Sequence, residues 1–131
     1  MIGLDTNVIL RYVAQDDALQ TPVAARLFES FNFQKQGFIT IVALVEVVWV
    51  LRSSYDASRE HIRRTIETLL RTRGVVVERS DLVWLALGDY SQGSADFGDC
   101  LIQYYGRAAG CDYTVTFDRD AVSSAGMKLL K

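Results

Sequence analysis

Short apolar runs rich in β-branched residues alternate with longer segments of helical character, and two of these runs end on an acid. The first run stops at Asp5, and the stretch TVTFDRD leads from Thr114 through Phe117 into Asp118. Strands separated by helices favour an α/β fold with a mainly parallel sheet.

The periodicity predicts the bounds of the individual elements. The predicted strands cover residues 2–5, 37–40, 75–78, 111–117 and 127–130. The predicted helices cover residues 7–13, 21–33, 41–51, 58–74, 80–91, 96–109 and 118–124, with Thr21, Ser58, Ser80 or Asp81, and Asp96 as caps. The boundary between residues 37–40 and 41–51 is ambiguous, because Val and Ile suit both strands and helices.

Composition excludes several classes of protein. Half of the 131 residues are apolar and 23% are charged, which is typical of a folded globular domain. The most apolar run, residues 38–51, is shorter than the ~20 residues of a membrane-spanning helix, so we expect a soluble, cytoplasmic protein with no membrane partner. Cys100 and Cys111 lack the spacing of a zinc or disulfide motif, and both are expected in the core.

Asp5 and Asp118 follow strands that are expected to be parallel. Ligands of open α/β sheets bind beyond the carboxyl ends of the strands, so both acids are candidates for chemistry or metal binding. A structural alternative remains for each of them. Asp5 could cap the helix that follows it, and Asp118 could start a turn, because Asp favours both roles.

Glu46 is the one charged residue in the apolar segment 41–51. On a helix, Val42, Val45, Trp49 and Val50 would surround it, and we expect it to be buried. A buried carboxylate without a partner costs several kcal/mol, so it must bind a cation or be neutralised. It is interpreted as a metal ligand, with an ion pair to an arginine such as Arg52 as the alternative.

Asp96 and Asp99 open the segment SADFGDCLI at i, i+3 spacing, which places both on one face of the first helical turn. Asp96 is a good N-cap residue, and the positive end of the helix dipole stabilises an acid at position 99. A structural role for Asp96 is therefore as reasonable as a catalytic one. Asp99 lies one turn further along and is favoured for the site.

Together these acids resemble those of the PIN-domain ribonucleases, above all the VapC toxin branch of toxin–antitoxin modules. The matching segments are Asp5-Thr6-Asn7, Glu46 within an apolar helix, Asp99 before a Cys-Leu-Ile run, and Thr116-Phe117-Asp118. The resemblance covers essentially the whole chain, in order. It implies a single nuclease domain over residues 1–131 with a three-layer α/β/α fold and a mainly parallel central sheet.

The resemblance also implies roles for individual residues. Asp5, Glu46, Asp99 and Asp118 would form the acidic, metal-binding cluster, with Asp96 and Asp120 as accessory acids and Asn7 and Thr116 as hydrogen-bond donors. The chain departs from the family at two neighbouring positions. Phe117 stands where many members have Asn or Arg, and Cys100 stands where a small residue is common. Neither departure removes a carboxylate, so both bear on the choice of substrate more than on activity.

Carboxylate oxygens without thiolate or imidazole suit Mg²⁺, for which Mn²⁺ can substitute. The resemblance implies a Mg²⁺-dependent endoribonuclease that acts as the toxin of a type II pair. RNA is then the substrate, a small cognate antitoxin is the partner, and the chain forms a homodimer. Apolar and aromatic residues such as Phe28, Phe31, Phe33, Trp49 and Tyr55 would supply the dimer or antitoxin contacts, and the sequence does not show which of them belong to the core.

Charge gives a second indication of a nucleic-acid substrate. Without the four cluster acids, 12 acids remain against 14 Lys and Arg, and seven of those bases lie between Arg52 and Arg79. This segment is either a phosphate-binding face or an ordinary helix face with pairs such as Glu60–Arg64. His61, the one histidine, is expected to be a solvated surface residue.

Two other functions compete with the nuclease. One is a catalytically silent PIN-like module that only binds a partner, whose signature would be the loss of acids. The other is a strand-end-aspartate phosphatase of the haloacid dehalogenase kind, which requires Asp-x-Asp after the first strand. Position 7 is Asn, and all four acids are present, so both are ranked below the nuclease.

Overall fold

All strand pairs in the computed structural model are parallel, because helices connect each strand to the next partner in its sheet. The structure describes residues 1–131 and divides them into two units, Met1–Glu78 and Arg79–Lys131. The elements are β1 Ile2–Gly3, α1 Thr6–Ala14, α2 Gln20–Glu29, β2 Gly37–Ile39, α3 Ile41–Ser53, α4 Arg59–Arg71, β3 Val75–Val77, α5 Ser80–Gln92, α6 Phe97–Ala108, β4 Val115–Thr116, α7 Arg119–Ala125 and β5 Lys128–Leu129. The α/β class is confirmed, and a single domain stays a prediction.

The first unit is built on a three-stranded sheet in the order β1-β2-β3. Ile2 pairs with Gly37, and Gly37 pairs in turn with Val75. Its core contains fully buried side chains from β2, α3 and α4, namely Ile39, Leu44, Val47, Ile62, Ile66 and Leu69. Since β1 and β2 run in the same direction, the residues after β1 and the start of α3 lie at the same edge of this sheet.

Helix α2 begins earlier than the sequence predicts, with Leu19 at the N-cap position, and the side chain of Asp17, not of Thr21, binds the backbone N–H groups at this end. The Asp17 Oδ1 atom accepts hydrogen bonds from the backbone N–H groups of Gln20, at 2.7 Å, and Leu19, at 3.0 Å. These bonds, the one from Gln20 first, lower the pKa of Asp17. Thr21 lies inside the helix, and its hydroxyl donates to the carbonyl oxygen of Arg11. The prediction of a Thr21 cap was wrong because Asp17 reaches the same end of the helix from the preceding loop.

The same helix ends at Glu29, whereas the sequence predicted an end at residue 33. The Asn32 side chain terminates the helical path, because its Oδ1 accepts from the backbone N–H groups of Gln34 and Lys35 in a tight turn. Gly74 packs against this turn with a φ of 74°, and a Cβ on it would lie 2.6 Å from the backbone nitrogen of Asn32. The close approach and the left-handed backbone together require glycine at position 74.

Helices α3 and α4 match the predicted segments closely. Thr40 caps α3 through its hydroxyl, and Ser58 caps α4 as expected from the sequence. Helix α4 ends at Arg71 instead of near residue 74, because Thr72 adopts an extended conformation. None of the helices has the length and apolar character that crossing a membrane requires.

The second unit packs helices α5, α6 and α7 with the two-stranded parallel sheet β4-β5. Phe97 at the start of α6 is fully buried, and its ring meets the ring of Tyr90 edge-on at 5.8 Å. Cys100 lies in this core as expected. Helix α5 begins at Ser80, but the residue at its N-cap is Arg79, whose backbone is left-handed, so neither Ser80 nor Asp81 is the cap. Asp81 instead accepts two hydrogen bonds from the Arg79 guanidinium, which lower the pKa of its carboxyl.

Strand β4 is much shorter than the predicted segment 111–117. The backbone N–H of Cys111 still bonds to the carbonyl oxygen of Gly106, which closes the end of α6 and delays the start of the strand. Only Val115 and Thr116 pair with β5. As a result Cys111 is exposed, and the prediction that it is a core residue was wrong.

Candidate active site

Asp5 follows β1 and caps α1, so the structural alternative for this acid holds in the fold. Its Oδ1 atom accepts a hydrogen bond of 2.8 Å from the backbone N–H of Thr6. The carboxylate is exposed at the carboxyl end of a parallel strand. Capping uses only the Oδ1 atom of this carboxylate. Asp5 can therefore cap the helix and bind a ligand at the same time.

Thr6 connects Asp5 to Glu46. Its hydroxyl donates a hydrogen bond of 2.7 Å to the Oε2 atom of Glu46 on α3, while its backbone N–H binds Asp5. Two acids that lie 41 residues apart in the sequence thus contact the same residue, Thr6. This role of Thr6 was not predicted from the sequence, although a hydroxyl residue directly after a strand-end acid is the signal that indicates it.

Glu46 is exposed, so the prediction that it is buried was wrong. The buried face of α3 carries Ala43, Leu44, Val47, Val48 and Leu51, and the helical repeat turns Glu46 to the opposite side. Its neighbours on that side are solvent-exposed as well, with 65% of Val42 and 67% of Trp49 accessible. The partner of Glu46 is the Thr6 hydroxyl, not an arginine. The burial of Glu46 therefore cannot be the reason for an acid at this position. Its contact with Thr6, which also binds Asp5, gives a reason.

Asp96 and Asp99 occupy the start of α6, within the second unit. Asp96 is at the N-cap position, but its side chain makes no capping hydrogen bond. The predicted N-cap position of Asp96 is therefore confirmed, although the expected contact from its side chain is not made. Asp99 lies in the first turn of α6, and both acids are half-buried.

Asp118 follows β4 and caps α7. Its Oδ1 atom accepts from the backbone N–H of Asp120 at 2.9 Å, and its own N–H donates to the hydroxyl of Thr116 at 3.0 Å. Toward Asp118 the Thr116 oxygen thus acts as an acceptor, where the sequence analysis expected a donor. Asp118 is exposed, and the turn engages only the Oδ1 atom of its carboxylate. Asp118 and Asp5 share one local design, a strand followed by an acid that caps the next helix with one oxygen.

The donors that the structure brings together are all oxygens. In the first unit they are the carboxylates of Asp5 and Glu46, joined by Thr6. No three His, Cys, Asp or Glu side chains in residues 1–131 are grouped so that they could hold a metal ion. Mg²⁺ commonly binds through only one or two carboxylates and completes its coordination with waters and substrate phosphates. The Asp5–Glu46 pair therefore fits Mg²⁺ or Mn²⁺ in ligand chemistry.

Asn7 and Asp120 are placed differently from the central acids. Asn7 lies in the first turn of α1 and lines a cavity of about 590 Å³ between α1 and α2, together with Arg11 and Val23. Asp120 lies in the first turn of α7, where its backbone N–H contacts Asp118. Asp120 therefore contributes to the position of Asp118 through its main chain.

The arginines of α4 form an ion-paired helix face. The guanidinium of Arg63 donates to Glu60 at 2.7 and 3.0 Å and to Glu67 at 2.8 Å, and Arg71 contacts Glu67 at 3.3 Å. Hydrogen bonds from Arg63 lower the pKa of both glutamates and raise the pKa of Arg63. His61 is exposed on this helix, as predicted. Helix α4 therefore has an ordinary solvated face with ion pairs, and not an open phosphate-binding face.

Replacing Thr6 with Val tests whether the link between Asp5 and Glu46 matters for a function of this site. The change keeps the shape of the side chain and removes the hydroxyl, so Glu46 loses its one hydrogen-bond donor. If the acids bind a metal, loss of this supporting contact should lower metal affinity or activity about 10- to 100-fold. Thr6→Ser keeps the hydroxyl and is the matched control. Equal activity of the two variants would contradict a supporting role for Thr6.

Comparison with known proteins gives one family and one relative. The family model described as PIN domain matches residues 2–126. A VapC ribonuclease from Aquifex aeolicus (strain VF5) is 26% identical over 117 residues, which cover 88% of this chain and 86% of that protein. The matched region of the family model contains every acid considered above.

Proposed function

The chain belongs to the PIN domain family, and from this premise we propose that it is a Mg²⁺-dependent endoribonuclease that acts as the toxin of a type II toxin–antitoxin pair. RNA as the substrate is supported by the similarity to a VapC ribonuclease. The proposed catalytic acids are Asp5, Glu46, Asp99 and Asp118. They act as the metal ligands, and Asp96 and Asp120 are accessory acids.

The observation that carries this proposal is the pair of exposed carboxylates joined through Thr6. Both carboxylates contact Thr6, and a divalent cation bound by the two of them would offset their negative charges. A purely structural role would not require Glu46 at the exposed position it occupies on α3. The pair therefore favours a working metal site over a silent family member.

The residues of the chain would hold and orient the reacting groups. Thr6 fixes one oxygen of Glu46, and capping fixes one oxygen of Asp5, so each carboxylate would bind a ligand through its second oxygen. Thr116 and the N–H of Asp120 fix Asp118 in the same way. A bound Mg²⁺ supplies the positive charge that activates water and stabilises the leaving oxygen of a phosphodiester. His61, exposed on the ion-paired helix α4, has no part in this scheme.

The partners in this proposal are a small antitoxin and a second copy of the chain, in the cytoplasm. Of the five aromatic candidates for protein contacts, Phe28 and Phe31 are buried and belong to the core. Phe33, Trp49 and Tyr55 are exposed, at 89%, 67% and 39% of their surface. Trp49 shares its side of α3 with two exposed valines, so this helix face is proposed as one of the contact regions.

Cleavage of RNA by the purified protein tests the proposal directly. We expect a labelled single-stranded RNA to be cut internally when Mg²⁺ or Mn²⁺ is present and to remain intact in excess chelator. Ca²⁺ serves as the control cation, because it binds oxygen ligands but tolerates looser geometry than Mg²⁺. Cutting that persists in chelator would exclude the metal-dependent mechanism. An intact RNA in every metal would favour a silent binding module instead.

A further inference from the structure

Glu78 follows strand β3 and contacts the helix that carries Glu46. Its Oε1 atom accepts a hydrogen bond of 3.0 Å from the backbone N–H of Ile41, the first residue of α3, although the two residues lie 37 positions apart in the sequence. The same turn of α3 already has a local cap, because the Thr40 hydroxyl accepts from the N–H of Ala43 at 3.1 Å. The contact with Glu78 is therefore a long-range connection between helix and sheet, and it does not replace a missing cap.

The backbone of Glu78 is fixed against the neighbouring strand. Its N–H donates a hydrogen bond of 2.9 Å to the carbonyl oxygen of Ile39, the last residue of β2. The main chain and the side chain of one residue thus bind both sides of the joint between β2 and α3, at Ile39 and at Ile41. Glu78 is half-buried, and hydrogen bonds are stronger where water is partly excluded.

Strand β2 also holds the residue that precedes Asp5. The N–H of Leu4 donates to the carbonyl oxygen of Phe38 at 3.0 Å. Asp5 and Glu46 are therefore both positioned from β2, one through Leu4 and the other through the start of α3. Glu46 lies five residues after the first residue of α3, which is about 7.5 Å along a helix axis. Because a helix over this short length moves as a rigid element, a displacement of its start also displaces Glu46.

We propose that Glu78 is a positioning residue for the metal site, and that it holds α3 where Glu46 meets Thr6. The inference rests on the proposed metal-dependent nuclease and adds a residue that supports its site. The bond from the Thr6 hydroxyl to Glu46 is 2.7 Å long and exposed. Bonds of this type extend only to about 3.0 Å, so a shift of α3 by ~1 Å would break it. An exposed pair of side chains cannot enforce such a position, so the backbone contacts of Glu78 must supply it.

Metal binding by the purified protein can be measured without RNA. Mn²⁺ is the probe, and electron paramagnetic resonance of the free ion gives its dissociation constant. Glu78→Ala should weaken Mn²⁺ binding about 10-fold, the lower end of the range for contacts behind a metal ligand. Glu78→Gln keeps an oxygen that can accept from Ile41 and should bind Mn²⁺ like the wild type. Ser58→Ala, which removes the cap of α4, is the matched control and should lower the melting temperature without changing Mn²⁺ affinity.

Ile41→Pro removes the donor of the same hydrogen bond and leaves Glu78 in place. Pro is favoured at the first position of a helix, and Thr40 already has the extended backbone that a residue before Pro requires. The variant should therefore fold and should weaken Mn²⁺ binding as Glu78→Ala does. Combining the two changes should weaken binding no further, because both remove one contact. If Glu78→Ala is unfolded, unchanged Mn²⁺ affinity in Ile41→Pro would overturn the proposal.

The outcomes separate this inference from the proposed function. Equal Mn²⁺ affinity of Glu78→Ala and Ser58→Ala would overturn the positioning role, and so would a Glu78→Gln variant as weak as Glu78→Ala. Effects of Glu78→Ala and Thr6→Val that multiply would also contradict it, because both changes should interrupt one series of contacts. A wild type that binds no Mn²⁺ would reject the metal site and this inference together. Intact RNA despite Glu78-dependent Mn²⁺ binding would reject the nuclease alone.

Discussion

Replacing Asp5 with Asn is expected to reduce RNA cleavage by at least about 100-fold, beyond the ~10- to 100-fold effect of losing a supporting contact. The amide keeps the Oδ1 atom that accepts from the Thr6 N–H, so the cap of α1 survives. What disappears is the negative charge that a divalent cation requires. Growth arrest on expression should disappear with cleavage. The measurements are the cleavage rate in Mg²⁺ and the melting temperature.

The Asp5→Ala variant provides the contrast for this experiment. It removes both the charge and the capping oxygen, so it should be inactive and less stable by roughly 0.5–2 kcal/mol. Asp5→Asn should melt close to the wild type. An Asp5→Asn protein that still cuts RNA, or one that is unfolded, would refute the assignment of a separable catalytic charge to this residue.

Replacing Asp99 with Asn is the second change with a large expected effect, again a loss of about 100-fold or more in Mg²⁺-dependent cleavage. Asp99 lies in the first turn of α6, where an acid gains only ~0.3–1 kcal/mol from the helix dipole. The variant should therefore stay folded while its activity collapses. Cleavage per folded molecule and melting temperature are measured together.

The neighbouring acid Asp96 is the control for Asp99. Asp96→Ser should be mild, because Ser is itself favoured at an N-cap position. Since the Asp96 side chain makes no capping hydrogen bond, Asp96→Ala is also expected to lose no capping energy. If Asp96→Ser proves as inactive as Asp99→Asn, then Asp96 binds the metal and the proposed set of four ligands is incomplete.

The order and type of the elements could be predicted from the sequence because their signals are local. Ser58 marks the start of α4 through its own side chain, and the apolar run before Glu78 marks β3. The cap of α2 could not be predicted, because Asp17 acts from a loop and competes with Thr21, which has the same preference. Strand β4 was predicted too long because closure of the preceding helix extends to Cys111.

The site was harder to predict than the fold, because its contacts are not local. Apolar residues surround Glu46 on all sides of α3, so the sequence could not show which face is buried. The hydrogen bond from Thr6 to Glu46 joins residues from different elements, and only the folded chain reveals it. The sequence places Asp96 at the N-cap position, but it cannot show that the side chain makes no capping hydrogen bond there. The identities of the four proposed acids came from the resemblance, and their joint role in a metal site stays a proposal.

The ion-paired face of α4 has a consequence for how this protein would respond to salt. When a cationic side chain neutralises an RNA phosphate, the counterion of that phosphate is released into solution. Each phosphate neutralised on a single strand steepens the fall of the logarithm of the binding constant with the logarithm of salt concentration by a slope of about 0.7. Arg63 already has Glu60 and Glu67 as its counterions, so phosphates would have to displace two carboxylates to reach it. Arg71 likewise has Glu67 beside it, so these two arginines contribute less to the attraction for RNA than a count of the seven between residues 52 and 79 suggests. Affinity for RNA should therefore fall less steeply with ionic strength than that count of positive charges implies.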